Sequence, residues 1–139
     1  MAHILKKSVL FFLLYQFFFL QPMAKKCFLT DRFEVHVLNA LPPNSPPLFA
    51  HCASGDDDLG NRTLSYPNQE FHWSFCESIL HNTFFFCTLS WGPKHTYLIA
   101  YKSGWNSKCP SFVCTFAAKT DGIYFSGEIP VALKKVINW

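Results

Sequence analysis

The chain has 139 residues, 12 Lys plus Arg against 9 Asp plus Glu, six cysteines and 16 phenylalanines, and half of it is hydrophobic. Lys6 and Lys7 precede an apolar run over residues 8–20 and a short polar stretch ending in Met23-Ala24, the three regions of a secretory leader, so removal of residues 1–24 is predicted, leaving one domain over 25–139. Without the leader the charge falls from +3 to about +1 (10 basic against 9 acidic residues), too small a basic footprint for nucleic acid, and a run broken by Gln16 falls short of the roughly 20 apolar residues that cross a bilayer.

In chain order, Phe33-Glu34-Val35-His36-Val37 alternates apolar with polar at period two, the pattern of a strand with one buried face. Residues 41–47 hold four prolines with Asn44 and Ser45 and read as a loop. A strand is expected over 48–53. Residues 54–60, with Asp56, Asp57 and Asp58, read as a polar turn, and 61–69 as further turn-rich chain. Residues 70–76 alternate again, with Phe71, Trp73 and Phe75 on one face and His72, Ser74 and Cys76 on the other. Residues 83–91 are almost continuously apolar, as expected of a central strand covered on both sides. Gly92-Pro93-Lys94 turns the chain into a hairpin strand over 96–102. Strands over 112–117 and 123–125 follow, joined by a turn carrying Asp121-Gly122. About seven short strands at close spacing predict an all-β fold, a small antiparallel β-sandwich.

All six cysteines, Cys27, Cys52, Cys76, Cys87, Cys109 and Cys114, lie beyond the leader. An even count in a small exported domain favours disulfides, and 15 pairings are open to it. Strand alternation turns Cys87 and Cys114 toward a core. It leaves their partners undetermined.

No catalytic motif accompanies the histidines at 36, 51, 72, 81 and 95: there is no Gly-x-Ser-x-Gly elbow, His-Glu-x-x-His helix or phosphate-binding loop. His51 and Cys52 are neighbours on a strand and point to opposite faces, poorly placed to share a proton. No catalytic residue, cofactor or metal is therefore expected. His72, Cys76 and His81 match no zinc spacing, and Asp56-Asp57-Asp58 lacks the closing Glu of a calcium loop. Asn61-Arg62-Thr63 is a usable glycosylation sequon.

Taken together, His51-Cys52, Asp57-Asp58-Leu59-Gly60, Trp73-Ser74-Phe75, Phe85-Phe86-Cys87, Trp91, Cys109, Cys114 and Asp121-Gly122-Ile123-Tyr124 resemble the plant self-incompatibility S-protein family, also called S-protein homologues. The likeness runs from about Phe33 to Phe125. It implies a small secreted β-sandwich that acts as a signalling ligand for a cell-surface protein, the role of the family's pistil determinants. Cys52, Cys87, Cys109 and Cys114 fall on the family's four cysteine positions. Cys27 and Cys76 are additions that either form a third bridge, tying the N-terminal arm to the strand at 70–76, or stay free. Phe116 stands where the family commonly has Trp.

Recognition by loops is then the expected mechanism, through residues 42–47, 54–69, 92–95 and 103–108, with Asp56, Asp57, Asp58, Trp105 and Asn106 as contacts. The expected partner is a receptor protein bound by a monomer. The competing expectation is a secreted defence or hydrolytic protein acting on microbes or cell-wall material.

Overall fold

Period-two alternation governs the domain, and the computed structural model, which describes residues 8–13 and 27–139, has nine strands there: β1 (Arg32–Asn39), β2 (Leu48–Ser54), β3 (Asp58–Leu64), β4 (Glu70–Cys76), β5 (Phe84–Trp91), β6 (Lys94–Lys102), β7 (Val113–Lys119), β8 (Gly122–Ser126) and β9 (Lys134–Ile137). They form two sheets, ordered β4-β1-β7-β8-β9 and β3-β2-β5-β6. The sandwich predicted from the sequence is present, with two strands more than expected. Both extra strands lie at sheet edges, where backbone pairing needs little apolar sequence. Asp58, expected in a turn, starts β3, and residues 61–64 continue that strand.

One strand pair departs from the antiparallel expectation. β1 lies parallel to β7, with Val35 opposite Cys114 and Val37 opposite Phe116, because the chain visits the other sheet between them and returns in the same direction.

The core lies between the sheets. β1 contributes Phe33, Val35 and Val37, β4 contributes Trp73, and β7 contributes Cys114, Phe116 and Ala118. They meet Leu48, Ala50 and Cys52 of β2, Phe85, Cys87 and Leu89 of β5, and Leu98 and Tyr101 of β6. Phe116 packs on Phe125 with ring centres 5.0 Å apart, so the aromatic exchange at this position keeps an aromatic in the core.

The strand registers sort the connections to two ends. One end carries residues 40–47, 65–69, 92–93 and 120–121. The other carries the N-terminal arm and residues 55–57, 77–83, 103–112 and 127–133. The loops expected to act together are thus divided between opposite ends of the molecule.

Of the predicted leader, 1–24, only residues 8–13 are described, and these are helical. Among the described residues no helix is long and apolar enough to cross a membrane.

Candidate functional site

The second of these ends is stapled. Cys27 bonds Cys76 at the close of β4, tying down the N-terminal arm, and Cys109 of the β6–β7 connection bonds Cys114 near the start of β7. Cys52 and Cys87 face each other in register on β2 and β5, with Cα atoms 4.1 Å apart. Every cysteine is paired. The inward direction expected for Cys87 and Cys114 holds, since both are fully buried, but they bond different partners. His51 has no thiol to activate.

At this end the turn after β2 and the loop between β4 and β5 enclose a cleft of about 510 Å³ lined by Asp56, Asp57, Ser78, Asn82, Thr83 and Phe84. Hydrogen bonds fix its walls. Ser54 N–H donates to the Asp57 carbonyl at 2.7 Å, Asp57 N–H to Ser54 Oγ at 3.1 Å, and Ser78 N–H to Thr83 Oγ1 at 2.8 Å. Ser103 N–H donates to the Thr83 carbonyl at 3.0 Å, joining the β6–β7 connection to the same frame. Asp56 and Asp57 are therefore exposed carboxylates on a braced turn. Asp58 differs. Its Oδ1 accepts Gly60 N–H at 2.8 Å and lies 2.6 Å from His51 Nε2, and these contacts, the Gly60 amide first, hold its carboxyl below the usual range. It is committed to its own hairpin.

The cleft opens onto an aromatic surface that the sequence reading did not single out. β5 is central in its sheet, and its inward residues Phe85, Cys87 and Leu89 are buried as expected. The expectation that both faces are covered fails: a two-layer sandwich leaves the outer face of each sheet without a layer above it. Phe84 and Phe86 emerge there beside Tyr97 and Ile99 of β6, with Phe86 opposite Ile99. Phe84, Tyr97 and Ile99 are 37%, 53% and 39% exposed. The rings run on from one another, with centres 6.2 Å apart for Phe84 and Phe86 and 5.8 Å for Phe86 and Tyr97. Phe84 belongs to both features, so cleft and patch are continuous.

Trp105, expected as an exposed contact, is instead half-buried against the core. Its ring meets Tyr101 and Phe125 edge-on at 6.0 and 6.3 Å. The Lys108 ammonium sits 3.8 Å from its centre and 4.9 Å from that of Phe125, and partial burial lowers the Lys108 pKa. Trp105 thus closes the open side between β6 and β8, and of the two contacts expected in this loop Asn106 alone is exposed. Trp105→Ala is expected to cost about 2 kcal/mol of stability, from half the apolar area of a large ring. Urea unfolding measures it, and an unmoved midpoint would refute a packing role.

Asn61 is exposed on edge strand β3, opposite His51, and Thr63 of its sequon follows on the same face. On the other sheet, His36 and His72 face one another across β1 and β4 with Glu70 between them.

Residues 34–139 match the family model described as plant self-incompatibility protein S1. S-protein homolog 1 of Arabidopsis thaliana is 34% identical over 121 residues, which cover 78% of this chain and 75% of that protein. S-protein homolog 2 of the same plant is 36% identical over 99 residues, 68% of this chain and 60% of its own length. A solved structure of SPH (Self-Incompatibility Protein Homologue) proteins, described as a widespread family of small, highly stable, secreted proteins from plants, superimposes with a TM-score of 0.62 at 20% identity. That alignment covers 79% of this chain and 96% of the other, and the two share a fold.

Proposed function

The chain belongs to the plant self-incompatibility protein S1 family, and from that premise we propose that it is a secreted ligand that binds a cell-surface protein, without catalysis, through the stapled end and the adjoining β5–β6 face. The observation that carries this reading is the run of Phe84, Tyr97 and Ile99 left exposed around half-buried Phe86, beside the braced Asp56–Asp57 turn. Contiguous exposed apolar surface marks an interaction site, and aromatic residues are enriched at protein interfaces, where they supply anchors. Loops already held by disulfides and backbone hydrogen bonds lose little further entropy on binding. The acidic turn at one margin of an apolar centre fits a partner that presents an apolar pocket with a basic rim.

Two further features support export. Residues 1–24 have the three regions of a cleavable leader. The Asn61-Arg62-Thr63 sequon is exposed on edge strand β3, where the glycosylation machinery met by an exported chain can reach it.

The test is saturable binding of the labelled, oxidised protein to plant plasma-membrane vesicles. The double variant Phe84→Ser/Tyr97→Ser, at two exposed positions, is expected to bind at least about ten-fold more weakly, the effect of losing two interface aromatics, with a thermal midpoint close to that of the parent. Undiminished binding by the variant would overturn the assignment of this face. Binding that survives proteolysis of the vesicles, or that transfers to cell-wall polysaccharide, would overturn the protein-ligand reading in favour of a defence or wall-directed role.

A further inference from the structure

On the outer face of the five-stranded sheet, far from the aromatic patch, β1 and β4 bring three metal-ligating side chains together. His36 and His72 are register partners, and Glu70 lies two residues before His72 on the same outward face. The imidazole rings stack with centres 4.9 Å apart and planes 19° from parallel. Glu70 Oε1 lies 3.1 Å from His36 Nδ1 and 3.3 Å from His72 Nδ1. The donor atoms of the three residues all lie within 4.8 Å of one another.

These spacings fit a small N/O-coordinated cation. Ligands held about 2.0–2.2 Å from a tetrahedral zinc ion lie about 3.3–3.5 Å apart. Both oxygen-to-nitrogen edges are already near that length, and His72, with its side chain half exposed, is free to adjust the remaining edge. Glu34 adds a supporting feature. Its Oε1 lies 3.6 Å from His36 Nε2, so when a cation replaces the proton shared between His36 Nδ1 and Glu70, a proton moved to Nε2 has a carboxylate close by, as in the carboxylate–histidine–metal arrangement. The other groups facing the site do not oppose a cation: Arg32 is drawn to Ser74 Oγ at 2.9 Å, and His36's neighbour on β7 is the neutral Thr115.

We propose that His36, Glu70 and His72 form a binding site for a zinc-class divalent cation, with Glu34 positioning His36 and a solvent-facing vertex left open for water or a fourth ligand. Two nitrogen donors with one carboxylate select zinc or copper over calcium and magnesium, which prefer oxygen. An ion held there also clips edge strand β4 to β1, independently of the Cys27–Cys76 bond.

The test is calorimetric titration of ZnCl2 into the untagged, oxidised protein, with histidine NMR as a second readout. One equivalent is expected to bind. His72→Ala and His36→Ala should each weaken binding at least about 30-fold, and Glu34→Gln about ten-fold, within the range for supporting groups. His51→Ala, on the other sheet, should leave it unchanged. Ring signals of His36 and His72 should move with added zinc, while those of His51, His81 and His95 stay. The proposal is overturned by binding weaker than millimolar, by equal binding of calcium, or by unchanged affinity in His72→Ala, which sits on an exposed strand position and is expected to fold normally.

Discussion

Replacing Cys52 and Cys87 together by alanine is expected to lower the stability of the domain by about 4 kcal/mol, the closure entropy of a 35-residue loop. Both residues are fully buried between the sheets, so their removal also leaves space beneath β2 and β5 that the neighbouring side chains fill only in part. Cys27–Cys76 closes a longer loop, of 49 residues, but Cys27 lies in the arm before β1, which would relax when released and recover part of that entropy in the folded state. Cys109–Cys114 spans only five positions and should contribute about 2 kcal/mol. For a domain of this size about 4 kcal/mol corresponds to a fall of about 15 °C in the unfolding midpoint. Thermal unfolding of the Cys52→Ala/Cys87→Ala and Cys109→Ala/Cys114→Ala proteins checks the order. Equal losses would mean that loop closure does not set these contributions.

Strands that bury one face were readable along the chain because alternation at period two is enforced by the core. β1 and β4 illustrate this: Phe33, Val35 and Val37, and Phe71, Trp73 and Phe75, all turn inward. β3 escaped because it has little to bury. In Asp-Leu-Gly-Asn-Arg-Thr-Leu only Leu59 and Leu64 touch the core, and its pairing with β2 rests on backbone hydrogen bonds that any sequence can make. The short strand β9 pairs at the opposite edge for the same reason.

The proposed recognition surface was half legible. Residues 83–91 are more apolar than a strand with one buried face requires. That excess reads equally as a strand covered on both sides or as one with an exposed aromatic face, and only the two-layer architecture decides between them. Trp105 presented the converse ambiguity. Its neighbours Gly104, Asn106 and Ser107 are those of an exposed loop, yet the ring turns back onto Tyr101 and Phe125. The His36–Glu70–His72 cluster had no signal in the sequence, because the two histidines lie 36 positions apart and meet only through the β1–β4 register.

Phe33→Ala is expected to be the most damaging single truncation in the core, at about 4 kcal/mol. The reason lies in how the chain uses its 16 phenylalanines. Phe33 is fully buried at the stapled end, with ring centres 4.7 Å from Tyr101, 5.3 Å from Phe112 and 6.3 Å from Phe75. Phe75 in turn meets Phe85 at 4.6 Å and Tyr101 at 4.8 Å, so one ring on β1 supports β4, β5 and β6 together. Phe33→Leu keeps most of the apolar volume and loses the ring contacts, each worth about 0.5–1.5 kcal/mol beyond burial, and should cost about half as much. Urea unfolding of the two variants separates cavity from aromatic geometry, and equal losses would assign the whole effect to ring contacts. The same cluster underlies the cleft, whose walls include Phe75 and Phe85. Amide exchange in Phe33→Ala should therefore quicken first in residues 77–83, while residues 65–69 at the far end keep their protection. Uniform loss at both ends would show that the stapled end opens only with the whole domain, and that its rigidity comes from global folding and not from the local aromatic cluster.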